Sequence, residues 1–452
     1  MDNKTNKNVM PVDEILPIGQ TIILALQHVL AMCAGAIAVP IIVGNAAGLS
    51  QEEIIFLINA DLFVAGIATL IQSLGVGNFI GAKIPMVEGT SFATVSAMVA
   101  IAGNYNSDPH VAMCTIFGSV LIAGIFSFSM APFFSKLLRF FPKVVTGTVI
   151  TIIGISLLPV AVRWSAGNNM SSPDFGSPQN VLMAFGVLVM ILIMNKYLKG
   201  IWGSVSILLG IVFGTIIASM IGMADFSKVA ASKFISFNTP FYFGMPRFDI
   251  TAIISLLLVT LVIMTEATGN IIAIHEMVGK PLDDKNLARG LRTDGFATMI
   301  ASMFNTFPHT AFAQNVGLVN LTGIKSRYVV ATSGGILFLL GIFPKVAALF
   351  ASIPYPVLGG AGFAMFGMVA SGGIKSLGSV EFDGNKNGII VAVSIGLAMI
   401  PVAVPTFYHA FPSWVNTLFH SGITTGSLCA IVLNIFFNGS SKEEKKEQLE
   451  VV

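Results

Sequence analysis

The sequence predicts an all-α polytopic membrane protein with fourteen transmembrane segments, arranged as two inverted repeats of seven. First, the 452 residues are 54% hydrophobic and only 10% charged, with a mean hydropathy of +0.84, whereas soluble domains carry about 25% charged residues. Second, the number of lysines and arginines is alternately high and low in successive loops along the chain. Third, two apolar segments are interrupted, at Pro85 and at Pro308, which lie 223 residues apart.

The segments follow from taking about 20 apolar residues as one membrane crossing. The predicted segments are 18–43, 53–74, 79–102, 109–132, 143–162, 179–196, 201–223, 249–275, 288–305, 307–323, 327–350, 355–373, 388–406 and 416–437. With the N-terminus in the cytoplasm, nineteen of the 24 lysines and arginines lie inside and five outside, as the positive-inside rule requires. Both termini are therefore predicted to be cytoplasmic. Seven segments per half is an odd number, which makes the two repeats inverted.

The interruptions at Pro85–Phe92 and Pro308–Gly323 read PMVEGTSF and PHTAFAQNVGLVNLTG. We interpret each as a short extended piece followed by a half-helix. Unpaired backbone groups cannot face lipid, so such a break must be packed in protein or line a polar cavity. Paired interruptions in two halves are typical of the substrate site of a transporter.

Glu266 lies in the middle of the apolar segment LLLVTLVIMTEATGNIIAI. A carboxylate at the bilayer centre costs about 2.5–3.5 kcal/mol on insertion scales, so Glu266 must face a cavity or a partner. It either binds substrate N–H groups or carries a proton, or it is a structural carboxylate that caps a helix or pairs with a buried donor.

Asp294 and His28 are the next candidates for chemistry. Asp294, near Arg292 at the start of the ninth segment, is either a proton site or a helix-start carboxylate close to the membrane surface. His28 in the first segment titrates near neutrality. It is either a proton relay or a hydrogen-bonded residue that shapes the pocket.

Asp61, His309 and Glu88 are further polar residues within the predicted segments. Asp61 in the second segment corresponds to Asp294 in the ninth, and we interpret Asp61 and His309 as members of a packing network. Glu88 is expected in a polar cavity, and its role is left open.

Gln314 and Asn315 open the second half-helix. The helix start offers free N–H groups, and the two amides add donors and acceptors. This chemistry suits a neutral planar heterocycle with alternating N–H and C=O edges. It suits a bare anion or a metal less well, since no Lys or Arg is near. Alternatively, Asn315 simply caps the helix.

No cofactor, metal site or nucleic-acid partner is predicted. The net charge is +2, and the cysteines Cys33, Cys114 and Cys429 lie in separate apolar segments. The many glycines are expected to allow close helix packing. A membrane enzyme using His28, Glu266 and Asp294 has no metal-ligand spacing or nucleophile–base motif to support it.

The sequence QNVGLVNLTG resembles the signature of the nucleobase–ascorbate transporter (nucleobase:cation symporter-2) family. The matching positions are Gln314, Asn315, Gly317 and Thr322, together with Gln27-His28, Gly89-Thr90-Ser91-Phe92, Glu266-Ala267-Thr268-Gly269 and Asp294. The stretch GIKSRYV at 323–329 is most similar to bacterial xanthine and uric acid permeases.

The resemblance implies two domains and a homodimer in the bacterial inner membrane. A core would comprise residues 18–132 and 249–350, and a gate residues 143–223 and 355–437, with cytoplasmic tails at 1–17 and 438–452. The implied function is import of xanthine or uric acid with protons, sodium being the less favoured ion. The open alternatives are a uracil or other nucleobase carrier and a sodium-coupled purine carrier on the same fold.

The resemblance also implies a substrate site. Glu266 and Gln314 would hold the base by their side chains, Phe92 and Ala313 by backbone N–H groups, and Asn315 would support them. Asp294 and His28 would tune the coupling. Glutamine at 314 resembles purine carriers, whereas uracil carriers usually have glutamate there. One departure is Asn270, where purine members commonly carry aspartate, because an amide cannot take up a proton.

Overall fold

Each predicted segment contains helix, and two short strands occupy the two predicted interruptions. The computed structural model describes residues 10–105, 108–134, 141–199, 201–384, 386–408, 410–412, 415, 419 and 421–439. Most of the predicted C-terminal tail and the first nine residues of the N-terminal tail lie outside these residues.

The elements of the first half run from residue 18 to residue 220. They are α1 (Ile18–Ala47), α2 (Gln51–Leu74), β1 (Glu88–Thr90), α3 (Val95–Gly103), α4 (Pro109–Met130), α5 (Lys143–Ser165), α6 (Pro178–Tyr197), α7 (Ile201–Ser204) and α8 (Ser206–Met220). Short 3₁₀ turns lie at Pro11–Asp13, Phe92–Thr94 and Ala131–Phe133. The connection to the second half carries the short helix α9 (Ser227–Ala231).

The second half repeats this order of elements. It contains α10 (Ile250–Val278), α11 (Asp284–Met303), β2 (His309–Ala311), α12 (Ala313–Thr322), α13 (Arg327–Leu340), α14 (Pro344–Ala351), α15 (Tyr355–Leu377), α16 (Lys386–Ala403) and α17 (Gly422–Asn438). The all-α polytopic fold class is thereby confirmed.

Eight helices of the described chain are long and apolar enough to cross a membrane, and the pair α13–α14 makes nine if it is one span. Three further apolar helices are shorter, at Phe92–Gly103, Ser206–Met220 and Gly422–Asn438. That all fourteen segments cross, as seven plus seven, stays a prediction.

The segment predicted at 327–350 is not one straight helix. α13 and α14 are bent by 85° relative to each other. The bend lies between Leu340 and Pro344, and Pro344 is the first residue of α14. Proline lacks an N–H group and fits the first turn of a helix but not its interior, so a new helix begins there.

The largest contacts join the two halves. α5 packs along α15, α2 along α13, and α4 along α11. When the halves are exchanged element by element, the α2–α13 contact becomes the α11–α4 contact. This exchange is what an inverted repeat requires.

Glycines on facing helices repeat the same exchange in atomic detail. Gly66 of α2 lies against Gly334 of α13, and Gly295 of α11 lies against Gly124 of α4. Glycine allows this approach because it has no side chain. Since Gly66 matches Gly295, Asp61 matches residue 290. The predicted correspondence of Asp61 with Asp294 was therefore wrong by about one helical turn.

The two interruptions pair with each other as strands. β1 and β2 are antiparallel, with Gly89 opposite Thr310. Beyond the strands, Ser91 N–H donates to the Pro308 carbonyl at 2.9 Å, and Phe312 N–H donates to the Val87 carbonyl at 2.9 Å. The breaks thus satisfy each other's backbone groups, which the membrane interior demands.

Candidate functional site

Each of the two strands is held by a threonine of a neighbouring helix through two hydrogen bonds. The Thr69 hydroxyl accepts from Glu88 N–H at 3.0 Å and donates to the Glu88 carbonyl at 3.4 Å. The Thr298 hydroxyl accepts from His309 N–H at 3.2 Å and donates to the His309 carbonyl at 3.4 Å. These equivalent contacts fix both strands to α2 and α11.

We expect Thr298→Val to lower the stability of the protein by about 1–3 kcal/mol, because it leaves a buried backbone N–H without its partner. Thr298→Ser keeps the hydroxyl and is the matched control. The measurement is the melting temperature of each purified variant in detergent. If the valine and serine variants melt together, the hydroxyl does not hold the strand.

The strands lead directly into two helix starts. Phe92 and Ala313 are the first residues of the 3₁₀ turn Phe92–Thr94 and of α12. Within the described residues, neither backbone N–H has an acceptor. Ala313 is exposed, and α10 contacts both the 3₁₀ turn and α12. The geometry leaves two free donors beside α10, where the sequence predicts substrate.

Glu266 on α10 lines a narrow cleft against α5, with a cavity volume of about 10 Å³. The cleft is lined by Phe141, Thr146, Val149, Ile150, Val262, Thr265 and Glu266. One turn further along α10, Gly269 is exposed, as is Gly317 on α12. A Cβ built at either glycine would meet nothing within 4 Å, so both positions border open space. The interpretation of Glu266 as a carboxylate paired with a buried donor is not supported, since no described group donates to it.

Asn315 and His28 hold each other in the interior. Both are buried, and His28 Nδ1–H donates to Asn315 Oδ1. Asn315 therefore does not cap its helix. His28 is hydrogen-bonded, in agreement with that alternative, and a role in shaping the pocket stays a prediction. Asn315 Nδ2 is left without an acceptor among the described groups. The side chain of Gln314 lies outside the described part of the chain.

Asn270 has a structural partner that explains the departure from the expected aspartate. Its Nδ2 donates to the Ala311 carbonyl of β2 at 3.1 Å. An ionised aspartate could not make this bond, because a carboxylate has no donor. Asn270 thus ties β2 to α10 at every pH.

Asp294 on α11 and Asp61 on α2 are both buried, and both accept hydrogen bonds from threonine hydroxyls. Asp294 lies deep in α11 and accepts from the Thr310 hydroxyl at 3.0 Å. The alternative of a helix-start carboxylate was wrong, since Asp283 caps α11. Asp61 accepts from the Thr90 and Thr306 hydroxyls, in agreement with a packing network.

An aromatic contact at the first helix start was not predicted from the sequence. The ring of Phe92 meets Phe366 of α15 edge to face, with centroids 5.9 Å apart. The ring centroid of Phe366 in turn lies 6.4 Å from that of Trp164 of α5. No pattern in the sequence marks these residues, because phenylalanine and tryptophan are ordinary in apolar helices.

Paired breaks in apolar helices are typical of the substrate sites of membrane transporters, and this is the class of protein that the fold and the family model define. The chain belongs to the Permease family, since the family model Xan_ur_permease matches residues 19–407. This confirms the nucleobase:cation symporter-2 resemblance, and it places the chain among permeases rather than enzymes.

Two curated relatives and one solved structure illustrate this similarity. The chain is 44% identical to the uric acid transporter UacT of Escherichia coli (strain K12), over 95% of this chain and 88% of that protein. It is 44% identical to the xanthine permease of Bacillus subtilis (strain 168), over 95% of this chain and 96% of that one. The transmembrane domain of the cyanobacterial bicarbonate transporter BicA shares the fold, with a TM-score of 0.62 at 17% identity, over 85% of this chain and 96% of that domain.

Proposed function

We propose that the protein imports oxidised purine bases, xanthine and uric acid, by proton symport across the bacterial inner membrane, with both termini cytoplasmic. The observation that carries this proposal is the pair of free N–H groups at Phe92 and Ala313, on two elements that both contact α10, the helix of Glu266. The assignment of purines as substrates is also supported by relatives that are named as uric acid and xanthine carriers.

The donors and acceptors fit a purine dione or trione. Carbonyl oxygens of the base accept from the N–H groups of Phe92 and Ala313 and from the free Nδ2 of Asn315. A ring N–H donates to Glu266, with Gln314 as a second amide ligand. Such fixed, desolvated groups select strongly between bases, since a mismatch leaves a buried polar group unpaired.

Alternating access requires one part to move against another. We propose that α1–α4 with α10–α14 form the core, and α5–α8 with α15–α17 the gate. The Phe92–Phe366 contact and the cleft between Glu266 and α5 lie at the boundary of these parts. The base would be released when this boundary opens. We also propose a homodimer, as is typical of the family.

Uptake of labelled xanthine tests this function in cells that lack their own purine carriers. Unlabelled uric acid, guanine, hypoxanthine and uracil are added one at a time, and uric acid is expected to compete while uracil does not. Collapse of the proton gradient by a protonophore is expected to stop accumulation, and replacement of sodium by potassium is not.

Two results would contradict the proposal. Entry of uracil but not of xanthine would overturn the assignment of purines. Accumulation that follows sodium instead of protons would overturn the coupling ion and leave the purine assignment standing.

A further inference from the structure

Two carboxyl groups meet in the interior between β1 and α11. Glu88 is 0% and Asp294 2% exposed, and their side chains are within hydrogen-bonding reach of each other. Glu88 Oε1 accepts from Gln72 Nε2 at 2.9 Å, and Asp294 Oδ2 accepts from the Thr310 hydroxyl. The other oxygens, Glu88 Oε2 and Asp294 Oδ1, receive no donor from any described group.

The two carboxyl groups can bond to each other only through a proton. An ionised carboxylate accepts hydrogen bonds and donates none. Two buried carboxylates in contact cannot both be ionised. One proton on the pair turns the contact into an O–H···O hydrogen bond and leaves one negative charge, which the Gln72 amide and the Thr310 hydroxyl stabilise.

No described cation faces this acid pair. On α11 itself, Arg289 bonds Asn286 and Arg292 stacks on Phe79. From α10, Glu266 faces the cleft against α5 and His275 bonds the Ile271 carbonyl.

On α2, Asp61 Oδ1 is 3.8 Å from His309 Nε2. On α1, His28 bonds Asn315. A proton is therefore the available compensation for the charge of the pair.

The Glu88–Asp294 pair has a counterpart in the other half of the molecule, and the two pairs differ in chemistry. Thr69 binds the backbone of Glu88 as Thr298 binds that of His309, so Glu88 and His309 occupy equivalent positions. The side chain of Glu88 lies next to Asp294 of the second half, and that of His309 lies next to Asp61 of the first half. The His309–Asp61 pair combines an acid with a base, whereas the Glu88–Asp294 pair has two acids and needs a proton from outside.

We propose that Glu88 and Asp294 share one exchangeable proton and form the proton-binding site of this carrier. This inference rests on the proposed proton symport. Glu88 lies four residues before Phe92, whose N–H group is free. Thr310 binds Asp294 and lies three residues before Ala313, which has the other free N–H group. Loss of the proton leaves two facing negative charges, which separate the strand pair from α11 and displace both helix starts. Base binding and protonation are coupled through this displacement.

The test compares the wild type with Glu88→Gln and Asp294→Asn in proteoliposomes. In either variant an amide N–H replaces the shared proton, so the contact no longer needs a proton. We expect both variants to retain counterflow of labelled xanthine and to lose accumulation driven by an imposed pH gradient. Glu381→Gln, at an exposed position, is expected to retain both activities.

Infrared spectroscopy supplies a readout that does not depend on transport. Purified wild-type protein is expected to show a carboxylic acid C=O band, sensitive to deuterium exchange, that each variant lacks. Elution from a sizing column verifies that each variant is folded. If only one of the two variants folds, that variant suffices for the comparison with the wild type.

Accumulation by a folded variant at the wild-type level would overturn the proposal. So would loss of counterflow in both folded variants, or a band that neither substitution removes. A wild type that accumulates xanthine on a sodium gradient would refute the coupling ion instead, and the infrared band would still decide whether the acid pair holds a proton.

Discussion

Glu266→Gln is expected to lower the uptake of xanthine or uric acid by about 10- to 100-fold. The substitution keeps the size of the side chain and removes its charge. A hydrogen bond to a charged group contributes about 1.5–3 kcal/mol, and 1.4 kcal/mol corresponds to a factor of ten in affinity. The measurement is initial uptake at a base concentration below saturation, normalised to the amount of protein in the membrane.

Glu276→Gln is the matched control, because Glu276 lies on the same helix, α10, and is exposed. It is expected to transport as the wild type does. Equal uptake by Glu266→Gln and wild type, with accumulation against a gradient intact, would remove Glu266 from the substrate site. A loss of protein from the membrane would instead point to a structural carboxylate, the alternative that the sequence left open.

Gly66→Ala is expected to destabilise the core by about 1–3 kcal/mol or more, the usual cost of forcing extra volume into a packed interior. The added Cβ would lie 2.7 Å from the Gly334 carbonyl oxygen and 2.7 Å from Phe338 Cα. Both are backbone atoms, so no rotamer change relieves the clash and α2 must move away from α13. The melting temperature of the protein in detergent reports the loss.

Gly335→Ala is the control, since a Cβ there meets nothing within 4 Å although it lies next to Gly334 on α13. The inverted repeat adds a second expectation. Gly295→Ala places a Cβ 2.7 Å from Phe128 Cα, so its effect should match that of Gly66→Ala. Unchanged stability in both variants would mean that these helices are not held by backbone packing.

The sequence by itself determined the class of fold and indicated most members of the proposed site. The apolar segments, the basic loops and the two proline breaks predicted a polytopic helical protein with paired interruptions. They do so because the bilayer imposes segment length and backbone pairing on any chain that crosses it. Glu266 was conspicuous for the same reason, since a carboxyl group in such a segment is expensive.

Only the tertiary structure decided which polar groups meet. Glu88 and Asp294 are about two hundred residues apart, and their contact depends on the register of β1 with β2 and on the packing of α2 against α11. The roles of Asn270 and Phe366 depend likewise on partners from other elements. Local patterns report the environment of each segment along the chain. Contacts between distant residues are determined by the packing of whole helices and strands, which no local pattern encodes.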